Sequence, residues 1–194
     1  AMCIASREKD VLDLTDISAF SADELTLSIS GIAPADTQTG KNRCLFNAEN
    51  ADVSHRIFIY WSSASQNLIC IARAGGVQEV LVIGKLYPGE PFRVSLSFVE
   101  GEMRATLNGA STVSAALDGV PVIASVGVGH KNAFDQWGGI VSDILVWQRA
   151  LSGESLRGLF WVDGMDVFLL GGQSNMIAGD GLDEALDWSG WGVF

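Results

Sequence analysis

Apolar and polar residues alternate without a break over residues 25–30, with Leu25, Leu27 and Ile29 on one face and Thr26, Ser28 and Ser30 on the other. A period of two is the signature of a half-buried strand. Residues 92–98 repeat it: Val94, Leu96 and Phe98 read inward, Arg93, Ser95 and Ser97 outward. Residues 103–107 return with the same alternation and end in Asn108-Gly109, a strong hairpin signal. Residues 56–61 are apolar on both faces, as expected of a central strand. Residues 43–47, 68–72 and 79–83 read as further strands, the last two joined through Gly75-Gly76. Residues 120–128 are another β run, with Pro121 marking a strand start or an edge. Residues 11–20 read as a lead-in with turn chemistry.

The closing stretch is residues 138–156. Two glycines open it, and residues 140–147 then alternate, with Ile144 and Val146 on one face and Asp143, Leu145 and Trp147 on the other. Ser152 is a good N-cap for a short helical turn over residues 154–159. The total is about nine or ten short strands and no long helix, which predicts an all-β, two-sheet antiparallel sandwich. Leu27, Phe58, Leu96, Phe98, Leu107, Ile144 and Val146 are its expected core.

Composition sharpens this. In 194 residues the chain is 48% hydrophobic and carries 22 glycines, enough for one sizeable core with many tight turns. No apolar run approaches the ~20 residues that span a membrane. The start, with charged Arg7, Glu8, Lys9 and Asp10, does not read as a secretory signal. Ala1 ahead of Met2 reads as a cloning remnant, so the natural start stays open. The net charge of −11 argues against nucleic acid and against anionic membranes as partners. It would also repel an anionic polysaccharide at long range, unless a local basic patch or a bound cation offset the field. Cys3, Cys44 and Cys70 form no metal-ligand spacing and read as free thiols.

The strand pair at residues 92–98 and 105–109, followed by Val126-Gly127-Val128-Gly129, Gly138-Gly139 and Arg149-Ala150-Leu151-Ser152, resembles laminin-G-like and concanavalin-A-like domains. The resemblance covers about residues 20–160 and implies a jelly-roll sandwich with a lectin-like role. After it comes Asp166-Val167-Phe168-Leu169-Leu170-Gly171-Gly172-Gln173-Ser174-Asn175-Met176. An apolar run closed by a glycine turn suits the first strand of an α/β domain. Gly-Gln-Ser-Asn-Met resembles the first block of SGNH-type carbohydrate O-acetylesterases, the sialate O-acetylesterase group. That resemblance makes Ser174 the nucleophile and its N–H an oxyanion donor. Such an enzyme needs a His oriented by a carboxylate, and neither follows Ser174 in the family's Asp-x-x-His form. The Asp52-Val53-Ser54-His55 run spells that pattern but precedes Ser174 inside the sandwich, and reads as coincidence. The expected organisation is therefore a lead-in over 1–19, a sandwich over 20–160, and an incomplete esterase start over 161–194.

Two sets of sandwich residues are candidates for binding. Trp137, Phe134 and Tyr87 are loop aromatics that suit stacking on a sugar ring, with Trp137 foremost and core packing the alternative. Tyr60 and Trp61 read as core. Asp36, Asn47, Glu49 and Asp52 are loop oxygens that suit Ca²⁺, as laminin-G-like domains often use, with a solvated acidic loop as the bland alternative. The leading expectation is a glycan-recognition module ahead of a carbohydrate esterase, on a phage or phage-like particle surface or otherwise extracellular. The alternatives are a homo-oligomerising structural module of a viral spike without a sugar site, and a functional esterase using Ser174.

Overall fold

The computed structural model describes residues 12–14, 17–20, 22–35, 42–131 and 136–159. Eleven strands, a one-turn 3-10 helix and one short α-helix follow in order: β1 (Leu12–Leu14), the 3-10 turn (Ser18–Phe20), β2 (Leu25–Ile32), β3 (Asn42–Glu49), β4 (Arg56–Ser62), β5 (Asn67–Ala74), β6 (Val77–Lys85), β7 (Pro91–Val99), β8 (Glu102–Leu107), β9 (Val113–Ala115), β10 (Ser125–Val128), β11 (Ile140–Trp147) and α1 (Gly153–Gly158). They form a six-stranded sheet, β1-β10-β3-β4-β5-β6, and a five-stranded sheet, β11-β2-β7-β8-β9. Every pairing is antiparallel. The expected two-sheet antiparallel sandwich is what the chain forms.

The period-two residues build the core. Leu25, Leu27 and Ile29 of β2 lie beside Phe98, Leu96 and Val94 of β7. These in turn lie beside Met103, Ala105 and Leu107 of β8. All are buried, and so are Phe46, Ile57, Ile59, Trp61, Leu68, Cys70 and Ala72 of the six-stranded sheet, in one continuous hydrophobic cluster. Trp61 satisfies its ring N–H on the Leu86 carbonyl at 2.9 Å. Cys70 is a free thiol in this layer, and burial pushes its pKa up to about 12, so it acts as an inert apolar group. Gly75 and Gly76 both have positive φ, which turns β5 into β6 in two residues.

Four readings change. Residues 11–20 are more than a lead-in: β1 pairs with β10, and Phe20 is buried and stacks on Phe46 at 6.0 Å. Of the run 120–128 only Ser125–Val128 is strand. The strand β9 carries no alternation to announce it. The fourth concerns Ser95 and Ser97, which face away from the core yet are only 1% exposed. The chain after β11 folds back over that face. Thr26 donates to the Arg149 carbonyl at 2.7 Å and accepts from the Leu151 N–H at 3.1 Å. Ser28 and Ser95 share a hydrogen bond, Arg93 reaches the Leu159 carbonyl, and Leu156 of α1 is fully buried. Ser152 caps α1 by accepting from the Ser155 N–H, as the sequence predicts. The five-stranded sheet is thus covered on both faces.

Candidate functional site

The outer face of the six-stranded sheet is different. Strand register arranges its side chains in cross-strand rows. The first row runs Ser125, Glu49, Arg56, Arg73, Gln78. The second runs Gly127, Asn47, Phe58, Ile71, Val80. The third runs Cys44, Tyr60, Ile69, Val82, and the fourth Asn42, Ser62, Asn67, Lys85. Two apolar rows therefore lie between two polar ones. Their register is fixed because the same strands present Ile57, Ile59, Leu68, Cys70 and Leu81 to the core, and a one-residue slip would exchange the faces.

Aromatic and cationic groups gather at the β4 end of the apolar rows. Phe58 and Tyr60 stack at 5.2 Å with ring planes 22° apart. The Arg56 guanidinium lies 4.2 Å above the Phe58 ring, and the Lys131 ammonium 5.4 Å from its centroid. Phe58 is left 8% exposed beneath them, while Tyr60 remains partly open. At the other end Val80 and Val82 are about half exposed, at 50% and 51%.

Arg56 is the anchor of the polar edge. Its Nε and Nη2 both donate to Asn47 Oδ1, at 2.9 and 2.6 Å, and Nε lies 3.4 Å from Glu49 Oε2. Burial lowers its pKa, and the Glu49 charge opposes that shift. Arg73 is fixed by donating to the Val53 carbonyl and to Gln78. The loop after β10 supplies the remaining wall. The buried His130 ring lies over Gly127, where an added Cβ would come within 3.0 Å of Cε1. The glycine is therefore what lets this loop lie close to the sheet and bring Lys131 over Phe58.

The expected site residues scatter. Trp137 is 2% exposed and packs edge-on against Phe92 at 5.5 Å, so it is core and not a stacking surface. The Trp137 N–H donates to the Gly129 carbonyl at 2.8 Å, which holds the residue against the sandwich. Tyr87 is 47% exposed but sits in the turn between β6 and β7, off the four rows. Phe134, Asp36 and Ser174 lie outside the described residues. Asn47 and Glu49 are taken up by Arg56, and Asp52 accepts from the N–H and hydroxyl of Ser54. Those Ser54 bonds lower the Asp52 pKa. A guanidinium between Asn47 and Glu49 does not fit a Ca²⁺ ligand set, and among the described residues no three acidic, His or Cys side chains gather. His55 accepts from the Val122 N–H at 3.2 Å, while Asp52 is turned to Ser54, so the two do not form a relay.

Sequence reasoning missed Arg56, Ile69, Ile71 and Lys131, and placed Phe58 and Tyr60 in the core; Phe58 is buried as expected, but on the outer face. The signal was the doubly apolar strand at 56–61: one of its faces is the core and the other is this surface.

No protein-family model and no curated protein sequence matches the chain. Solved structures do. The sialidase CBM40 domain of Ruminococcus gnavus superposes with TM-score 0.59 at 13% identity, covering 79% of this chain and 93% of that one, and the same domain is known bound to α2,3-sialyllactose. Mouse laminin α1 domains LG4-5 give TM-score 0.58 at 12% identity, over 76% of this chain and 41% of theirs. The leech intramolecular trans-sialidase gives 0.56 at 20% identity, over 80% of this chain and 26% of its own. The chain thus spans less than half of the laminin and leech chains it matches. Identities this low establish fold, and the fold is the jelly-roll-like β-sandwich of the laminin G and CBM40 domains.

Proposed function

We propose that this chain is a glycan-recognition module, and that it binds sugar on the outer face of the six-stranded sheet. The observation that carries this reading is the two-row apolar strip, with the Phe58–Tyr60 stack at one end, set between polar rows on an open sheet face. A sugar ring has an apolar face and a polar rim. It would lay the first on Tyr60 and present the second to Arg56, Ser62 and Asn67. The carbohydrate-binding neighbours with the same fold support this. Tyr60→Ala removes the open ring without touching the core. We expect it to abolish retention of the protein on an oligosaccharide array while the circular dichroism spectrum and melting temperature stay near wild type. Unchanged retention would overturn the site.

The proposal extends to the tail. The module precedes and positions an SGNH-type carbohydrate O-acetylesterase, for which Ser174 supplies the nucleophile and other residues supply base and orienting acid. The setting is the surface of a phage-like particle that docks on bacterial polysaccharide. This chain by itself should not turn over p-nitrophenyl acetate. Turnover that disappears in Ser174→Ala would show instead that the catalytic set is already complete here.

One observation favours a second reading, a contact surface between copies of the chain. Val80 and Val82, on the outer face of the edge strand β6, are each about half exposed, at 50% and 51%. Sedimentation at rising concentration separates the two. A dimer lost in Val80→Lys with sugar retention intact would place both functions on one sheet.

A further inference from the structure

We infer that the ligand taken on this face is an acidic glycan, one whose carboxylate lies beside Lys131 and Arg56; the inference rests on the glycan-binding reading above. The chain as a whole has twelve Lys and Arg against 23 Asp and Glu. The outer face of the six-stranded sheet reverses that balance. Among its described residues, Arg56 and Arg73 in the first row, Lys131 above the second and Lys85 in the fourth stand against two acidic positions, Glu49 in the first row and Asp13, which register sets beside Gly127 at the β1 end of the second.

The cations are also held where a sugar on Tyr60 would meet them. Arg56 is fixed by Asn47, Glu49 and the Phe58 ring, so its direction is set before any ligand arrives. Lys131 is brought in by the loop that Gly127 lets approach, and its ammonium lies 5.4 Å from the Phe58 ring centroid. An ammonium has three donors and no acceptor, so it discriminates a carboxylate from a hydroxyl by charge as well as by hydrogen bonding. The acidic remainder of the chain does not cancel this. At physiological ionic strength fields are screened within about 8 Å, so a ligand in contact with the face responds to the nearest charges. The long-range repulsion expected from a net charge of −11 is therefore offset locally.

The test uses the whole chain on an array of carboxylate-bearing oligosaccharides, each printed beside its methyl ester. Esterification keeps the sugar skeleton and removes the charge. The strongest binder is then titrated calorimetrically against wild type, Lys131→Gln and Lys131→Arg. We expect the acids to bind at least tenfold tighter than their esters. We expect Lys131→Gln to lose most of that preference and Lys131→Arg to keep it, with unchanged melting temperatures. Equal binding of acid and ester, or binding to neutral glycans alone, would overturn the acidic specificity and leave the carbohydrate reading standing. A folded protein that retains no glycan of either kind would overturn both.

Discussion

Asn47 would serve the fold and the proposed site together. Its side chain is nearly buried on the outer face of β3, at 5% exposure, and its amide oxygen receives two donors from Arg56. Hydrogen bonds to a charged group contribute about 1.5–3 kcal/mol, and a largely buried guanidinium that loses its acceptor keeps its desolvation cost. Asn47→Ala should therefore lower the urea midpoint by the equivalent of about 1.5–3 kcal/mol with an unchanged m-value. It should also weaken sugar binding, because Arg56 is no longer held over Phe58. Loss of stability without loss of binding would separate the two roles. None of this was readable from the residue itself. In sequence Asn47 stands among Glu49, Asn50 and Asp52 and suggests a cation loop, yet the register of β3 with β4 sets it opposite Phe58 and beside a guanidinium. A side chain's partner is decided by cross-strand pairing, which no local pattern contains.

At the scale of elements the alternating strands were legible because burial on one face leaves a mark of period two. β2, β7 and β8 carry it in full. β9 has three residues and no such mark, and β1 is paired only because β10 is there to receive it. The serine and threonine face of β2 and β7 misleads for a related reason. Its residues are covered by the segment after β11: Thr26 answers backbone groups of that segment, while Ser28 and Ser95 bond each other. Thr26 is the clearest case, with one oxygen serving both the Arg149 carbonyl and the Leu151 N–H. Thr26→Val keeps the shape and removes both bonds. It should cost about 1–3 kcal/mol for the two groups left unpaired, and hydrogen exchange should speed up at Leu151 and Leu156 before it does in β4. Uniform protection loss across the sandwich would mean that the segment after β11 is not a separate opening unit. Gly31 constrains the same region: an added Cβ would fall 2.0 Å from the Ile140 carbonyl oxygen, beside the bulge between Val141 and Asp143.

For the molecule as a whole, both sheets contribute to one hydrophobic cluster, so the sandwich should unfold as one unit. In a variant that keeps only Trp61 and Trp137 of the six tryptophans, their emission and the far-ultraviolet ellipticity should change together in denaturant; separated midpoints would show two units instead. The fold class was within reach of the sequence because many strands vote for it. The site was not, since it depends on which of two apolar faces of β4 is left open, and that follows only from the order of all the strands. The covered sheet then settles a matter of direction. Leu159, the last described residue, is moored by Arg93 to the back of the five-stranded sheet, on the side of the sandwich opposite the Tyr60 surface. If the Tyr60 surface binds sugar as proposed, Leu159 lies behind it, as a handle begins behind a palm.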